Sequence, residues 1–442
     1  MPQHGNLTTD VLVVGAGASG LPAAIAAARA GANVTLIEED PVVGGAPSDY
    51  YVCLLYGAPV TGILQEAEDI LKAKHSPVPG AQFFLPSGYQ RAWHHLLAAE
   101  PNLRTITGAR AVDVRVEDRS GGPTVVAVSV EVQPDRRFDI ESKVTIDCTG
   151  SGIVSIMAGC TALYGRDARG DFDEPSAPDQ PDDRVQACTW MYFIQRLPDA
   201  RPTARKLPLG VGVLTGIPPR GHVGPWPSAE AESAPDPGIY LQWGCAVRCR
   251  DTRDPIELAN AHRDAYKAME RDHALLHENG YMIHLAPRIG VREASRILGE
   301  CVITENDIRN SVFPDDTIAV ADYGLDIWNE KRQQTKEMGG HDDEGTVDVF
   351  GLETARYGIP YRALVPRGVD GLLVAGKCMS GTHIAQSSFR VQPIVASAGQ
   401  AAGVAAALSA EQDQPPRRLD PQQVRRLLRT KEQHLQLSFN ED

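Results

Sequence analysis

Three apolar runs along the chain each stop at a glycine-containing turn. "VLVV" at 11–14 ends at Gly15, "VTI" at 144–146 runs into "DCTGSG", and "LLVA" at 372–375 ends at Gly376. Short β-branched runs of this kind are expected of parallel strands buried on both faces. After the first comes "LPAAIAAARAG", which predicts a helix with Pro22 in its first turn, alanines that let it lie close to a sheet, and Gly31 at its end. "RTITGARAVDVRV" and "TVVAVSVEVQ" alternate at period two and predict a β-meander. Further on, "QACTWMYFIQRL" and "GIYLQWGCAV" read as strands, and "DPIELANAHRDAYKAMERDHALLHENG" reads as an amphipathic helix capped by Asp254 and stopped at Gly280. "PIVASAGQAAGVAAALSA" is charge-free but rich in Ala and Gly, which predicts a buried helix rather than a membrane span. The pattern is α/β, with a nucleotide-binding unit split into residues 1–159 and 357–442 around an inserted, mainly β-sheet substrate domain at 160–356.

The first turn carries an intact G-x-G-x-x-G, Gly15-Ala-Gly17-Ala18-Ser19-Gly20. Gly15 permits the tight turn, Gly17 the approach of a pyrophosphate, and Gly20 close helix-to-strand packing. The helix N-terminus is an anion site. The second strand, "NVTLIEED", ends in Glu38 and Glu39; Glu38 stands 23 residues after Gly15, where a carboxylate accepts the ribose hydroxyls of an adenosine. Strand, glycines, helix, strand and acid in register predict a Rossmann-like dinucleotide fold.

The next residues favour FAD over a nicotinamide. Gly44, Gly45 and Ala46 resemble the continuation in flavoproteins of the glutathione-reductase-like type, which implies that this loop passes the pyrophosphate and flavin. "GVGVLTG" at 210–216 has the wrong spacing for a second fingerprint, so one dinucleotide is expected. By the same resemblance Thr149 and Gly150 lie near the pyrophosphate, and Val112 offers a backbone group to adenine. "LLVAGKCMSGTH" followed by "SSFRVQPIVASAGQAAGVAAAL" resembles the last flavin-binding element of this superfamily. Gly376 closes the strand beside the cofactor, Arg390 and Gln392 precede the helix, and the helix from Pro393 aims its positive end at the flavin pyrimidine.

With these residues in place the chain resembles the FAD-dependent oxidoreductase family of bacterial flavoproteins. The resemblance runs nearly the whole length and is most specific in "PRIGVREASRILGECVITENDI" and from "YGIPYRALVPRGVDG" through the final helix. The chain departs from the family at "GGAPSDYYVCLLYG", where a smaller Thr- and Gly-rich loop is the norm. At the two later contacts "DCTGSG" and "AGKCMSG" stand where aromatic hydroxylases of similar fold would show Asp-Gly and Gly-Asp motifs, which counts against a monooxygenase. The basic C-terminal extension of the flavoprotein that modifies tRNA is missing too.

Charge narrows the partners. Lys+Arg 43 against Asp+Glu 57 gives a net charge of -14, which opposes a nucleic-acid partner and suits a small-molecule substrate. "MPQHGNLTTD" lacks a signal pattern, so a cytoplasmic protein is expected. Eight scattered cysteines imply no disulfide framework, and Cys245 and Cys249 read as two same-face strand residues. No metal-ligand spacing appears. Residues 165–184, rich in Pro and Asp, read as an exposed loop, as does "EKRQQTKEMGGHDDEGTVDV" at 330–349.

A flavin enzyme needs a group to hold substrate and one to move a proton. Arg292 and Arg296 lie four apart and share a face if "VREASR" is helical, where they could clamp a carboxylate or carbonyl oxygen, cap a domain interface, or pair with Glu293 and nearby acids. His383, in the loop after Gly376, is a candidate to move the proton, since histidine is a side-chain type that can exchange a proton near neutral pH. Cys53, with Tyr50 and Tyr51, lies in the unusual loop after Gly45, where Cys53 could anchor flavin, act as a redox thiol or pack in the core. The expected activity is FAD-dependent hydride transfer between flavin N5 and a small organic substrate. An oxygen-using oxidase or monooxygenase, and a flavin-binding tRNA-modifying protein, are the alternatives; the electron partner, substrate and any homo-oligomer are left open.

Overall fold

The computed structural model describes residues 6–55, 58–75, 83–133, 136–200, 239–242, 244–328, 356–430 and 434–437. The stretches at 210–216 and 330–349 lie outside them.

The apolar runs become the centre of one mixed sheet. β1 (Leu7–Val14), β2 (Val34–Glu38), β3 (Leu103–Thr107), β4 (Arg110–Arg119), β5 (Gly122–Gln133) and β6 (Arg136–Asp147) take the order β3-β2-β1-β6-β5-β4. The strand Leu372–Val374 also joins β6. β3, β2, β1, β6 and Leu372–Val374 are mutually parallel, and β4 to β6 form the antiparallel meander. β6 is long enough to serve both: its first half pairs with β5 and its last three residues with Leu372–Val374. Val11, Leu12 and Val13 are wholly buried, as strands covered on both faces require.

The helix α1 (Gly20–Arg29) packs against the long helix Gln392–Glu411 with almost no side chain between them. A Cβ on Gly399 would stand 2.1 Å from Ser19 O, and one on Gly403 would stand 2.1 Å from Ala23 O. These glycines are four apart, hence on one face. The charge-free composition of the long helix thus follows from burial on nearly all sides. Among the described residues it is the one helix long and apolar enough to cross a membrane, and 89% of its apolar window is buried inside the molecule.

A second, three-stranded antiparallel sheet joins Tyr192–Arg196 to Ile239–Gln242 and Tyr281–Leu285. Ala261, Ala265, Met269 and Leu276 of the helix Pro255–Glu278 pack with Tyr192, Ile194 and Tyr281 in a core of their own. Asp254 caps that helix by accepting from Ile256 N–H at 2.8 Å.

Three local expectations are corrected. "VREASR" is not a helix: residues 291–295 are irregular, and Arg296–Ile297 pairs with Ala162–Leu163. Residues 165–184 are more than an exposed loop: much of the segment is exposed, but Glu174, Ala168 and Ala177 are buried and Arg166 pairs with Asp182. Cys245 and Cys249 do not share a strand face: the strand is Ala246–Val247, Cys245 Sγ donates to Ala265 O, and Cys249 lies beyond the strand end.

Candidate active site

Register brings the candidate turns to one edge. Val14 is level with Asp147, which is level with Val374, so Gly15, Thr149-Gly150 and Gly376 all leave the carboxyl ends of neighbouring parallel strands. Ligands of open α/β sheets bind at that edge. A Cβ on Gly15 would stand 2.6 Å from Cys148 O, and one on Gly20 only 1.7 Å from Gly15 O, so each glycine admits a backbone pressed against it. Gly17, Ala18 and Ser19 donate no backbone hydrogen bond among the described residues, as expected of a helix start that offers its N–H groups to an anion. Ser19 Oγ instead ties α1 to the last strand by donating to Ala375 O. Asp147 organises the middle turn: its buried carboxylate accepts from Thr149 N–H and Oγ1 and from Ser155 N–H and Oγ.

The second strand ends beside this edge. Glu38 accepts from Ala16 N–H at 2.6 Å and from Asp40 N–H at 3.0 Å, and burial raises its carboxyl above the usual range against those bonds. Glu39 points outward and pairs with Arg288, which also pairs with Asp40. Asp49 is pushed up to about 7 by burial and then by Asp40 and Glu38. Ala109 N–H donates to Glu38 O, which sets the start of β4 against this end. Val112 follows three residues later as the extra residue of a β-bulge between Ala111 and Asp113, out of the regular ladder.

The loop after Glu38 lies under the first turn. Gly44 N–H donates to Ala16 O, and a Cβ on Gly45 would stand 2.7 Å from Gly17 Cα. Ala46 then opens a short helix, Ala46–Asp49. Tyr50 packs on Gly290, and burial raises its phenol. Tyr51 has φ 57 and packs on Phe193 of the small sheet, ring centroids 5.1 Å apart. Cys53 is wholly buried, donates to Pro47 O, and has its thiol raised by that burial, the surroundings of a packing residue. Gln392 holds the same loop from the other side, its Nε2 donating to Val52 O and Leu54 O. Pro393 occupies the first turn of its helix.

FAD fits these residues. The Gly15–Gly20 and Gly44–Gly45 backbones form a cradle that side chains would fill, and two buried polar atoms face no partner among the described residues, Gln392 Oε1 and Arg390 Nε. Arg390 is otherwise held by Asp326.

A buried ionic network adjoins the cradle. Glu293 and Arg296 are both 0% exposed and paired; Arg296 also reaches Asp167, Gly165 O and Gly381 O. His383 Nδ1 lies 2.8 Å from Glu293 Oε2, and Gln186 N–H donates to the same carboxylate. Burial alone would raise the Glu293 carboxyl; His383, then Arg296, outweigh it and hold the group low. His383 is not in a loop, as the sequence suggested, but opens the helix His383–Phe389, which Thr382 caps at Ala385 N–H. Arg292 turns away from Arg296: its Nη1 donates to Ala187 O and Thr189 Oγ1, and its guanidinium lies 4.3 Å over the Trp328 ring. The irregular path of residues 291–295 separates the two arginines, where a helix would have aligned them.

Sequence reasoning named Glu293 only as an acid the two arginines could pair with, which Arg296 does, and missed its contact with His383; it missed Asp167, Asp147 and Lys377 altogether. The Lys377 stem lies against Gly150, its ammonium donates to Val291 O, and burial followed by Arg390 lowers it to about 8. Its position directly after the strand-ending Gly376 was the available signal.

The chain is 30% identical over 189 residues to the alpha subunit of sarcosine oxidase from Corynebacterium sp. (strain U-96), a stretch covering 37% of this chain and 19% of that subunit. Among solved structures it is similar to a geranylgeranyl bacteriochlorophyll reductase-like protein from Thermoplasma acidophilum (14% identity, 98% of this chain and 86% of that one, TM-score 0.42). It is also similar to a myxobacterial FAD-dependent chondrochloren halogenase (13% identity, 95% and 78%, TM-score 0.41). A sequence profile of the family described as FAD dependent oxidoreductase matches residues 10–428, and the chain belongs to that family, with FAD as its cofactor.

Proposed function

We propose that the protein transfers hydride between flavin N5 and a small organic substrate, and that His383, fixed by Glu293, moves the accompanying proton. The observation that carries this reading is the 2.8 Å His383–Glu293 contact, buried beside the cofactor cradle. Bound FAD supplies the hydride chemistry. Arg296 and Gln186 hold the Glu293 carboxylate in place, and Glu293 orients the imidazole through Nδ1, which leaves Nε2 to give or take the proton. The substrate side is assigned to residues 160–356 as an inserted β-sheet domain on a glutathione-reductase-like cofactor unit. Two aromatic–aromatic contacts support it, Phe193 against both Tyr51 and Phe83. The acidic charge supports a small-molecule partner over nucleic acid, and the free cysteines support a cytoplasmic setting.

His383→Ala is expected to retain FAD, to slow substrate-driven flavin reduction by about 10²–10⁴-fold, and to change how that rate depends on pH. Anaerobic stopped-flow reduction measures this; an unchanged rate across pH takes His383 out of the mechanism. The similarity to a sarcosine oxidase subunit favours an oxygen-using oxidase as the second reading, and reoxidation of the reduced enzyme by air separates the two.

In the same reading Glu38 holds the adenosine ribose. Glu38→Ala is expected to weaken FAD binding by about 1.5–3 kcal/mol, the range for hydrogen bonds to a charged group. Quenching of flavin fluorescence on titration gives the affinity, and a wild-type value would remove Glu38 from the binding site.

A further inference from the structure

Lys377 is a half-buried cation at the cradle with no counter-ion in the chain. It follows Gly376 directly, so it leaves the same strand-end edge as the Gly15 and Thr149-Gly150 turns. A Cβ on Gly150 would stand 3.0 Å from Lys377 Cε and 3.7 Å from its Cγ, so the stem lies on the turn of the neighbouring strand. The ammonium donates to Val291 O at 2.5 Å. Val291 belongs to a segment that packs on the second glycine loop: Arg288 N–H donates to Asp49 O, and a Cβ on Gly290 would stand 3.5 Å from Tyr50 Cβ. That loop in turn touches the first turn, through Gly44 N–H on Ala16 O and Gly45 against Gly17. Lys377 Nζ is thus bracketed between the Gly150 turn and the segment seated on the Gly44–Tyr50 loop. An ammonium carries three donors, and a neutral carbonyl takes one of them. Among the described residues Lys377 forms no ion pair. Glu293, the acid that acts on it from nearby, is already held by Arg296 and His383, and Arg390 adds a second positive charge.

We propose that Lys377 is a cofactor-binding residue whose ammonium pairs with the pyrophosphate of FAD, an inference that rests on the Gly15 turn as the pyrophosphate site. The glycine turn and the start of α1 offer an anion only partial charges, from N–H groups and the helix dipole. Lys377 adds a full charge, and lysine binds phosphate as a point charge that needs no fixed fork of donors. The direction of the side chain agrees. Lys377 leaves the strand beyond β6, and its stem folds back over the β6 turn, towards the side on which β1 and Gly15 lie. Contact with Gly150 and the bond to Val291 O hold the side chain in place without the cofactor, so less rotamer freedom is lost on binding than for a surface lysine. A substrate carboxylate is the other anion that a flavin enzyme brings to such an ammonium. Seating on two cofactor turns favours the pyrophosphate.

The test compares FAD with riboflavin, which has the same ring and ribityl arm but no phosphate. Full-length protein stripped of its flavin is titrated with each, as wild type and as Lys377→Met, which keeps the apolar stem on Gly150. The expected result is that the variant binds FAD at least about tenfold more weakly, the scale of one charge-assisted hydrogen bond, and binds riboflavin as wild type does. Riboflavin binding also shows that the variant is folded. A second measurement needs no riboflavin: FAD affinity is expected to fall less steeply with added salt in Lys377→Met than in wild type. Wild-type affinity for FAD, an equal loss for FAD and riboflavin, or the same salt dependence in both proteins would each overturn the proposal, the equal loss by assigning Lys377 to the flavin ring or the fold. Gly17→Ala in the same titrations reports on the underlying reading by itself, because unchanged FAD affinity there moves the pyrophosphate from the Gly15 turn whatever Lys377→Met does.

Discussion

Gly17→Ala is expected to yield a folded protein that has lost FAD, whereas Gly20→Ala loses both fold stability and FAD. The distinction follows from what each new methyl group meets. At Gly17 the nearest atom is Gly45 Cα at 3.8 Å, an ordinary contact, so the chain tolerates the substitution. The methyl group nevertheless projects into the space between the two glycine turns, where the pyrophosphate lies in our reading, and a displaced backbone there loses the anion hydrogen bonds as a set. An affinity loss of at least about a hundredfold, ~2.7 kcal/mol, is the expected scale. At Gly20 the added atom would stand 1.7 Å from Gly15 O, a backbone atom that cannot swing away. α1 must then shift off the sheet and off Gln392–Glu411, and overpacking of this kind costs roughly 1–3 kcal/mol or more. Thermal melts of the apoproteins with FAD titrations separate the two effects. A Gly17→Ala protein that binds FAD like wild type would place the pyrophosphate elsewhere.

The cofactor half of the molecule was legible because its signals are local. Each strand end, glycine turn and following helix lies within about thirty residues, and chain connectivity alone sets Glu38 against the first turn. Two glycines four apart in a helix also imply a close neighbour, and at Gly399 and Gly403 Ser19 and Ala23 provide it. The polar half was not legible. Glu293 meets His383 across 90 residues and Asp167 meets His383 N–H across 216, and no periodicity encodes such pairs. The same gap explains the misreadings. Acids at 165–184 resemble a solvated loop until Arg296 and Thr382 are seen to need them as acceptors. Arginines four apart in "VREASR" suggest a helix, but Glu293 between them takes hydrogen bonds from Gln186 and Arg296 that hold the segment in an irregular path.

The largest effect on stability is expected at Glu293. Glu293→Ala leaves Arg296, 0% exposed, with one of its two carboxylate partners gone, and it strips His383 Nδ1 of its acceptor. Removing one member of a buried ion pair costs roughly 3–5 kcal/mol when the remaining charge is left uncompensated, and Asp167 offsets part of that cost here. Glu293→Gln keeps the volume and one carbonyl oxygen but no charge, and should fall between wild type and alanine. The two variants also predict a pH dependence. The folded protein holds the Glu293 carboxyl below its ordinary value of 4.5, so the carboxylate binds fewer protons folded than unfolded. Its contribution is therefore complete above about pH 4.5 and is lost as pH falls from there through the lower folded value. The gap in unfolding free energy between wild type and Glu293→Gln should be constant from pH 7 to pH 5 and shrink below pH 4.5. Urea titrations at several pH values measure that gap directly. If it stays flat to pH 3, the carboxylate is not what secures the network, and Arg296 must rest chiefly on Asp167 and its two carbonyl acceptors, Gly165 O and Gly381 O.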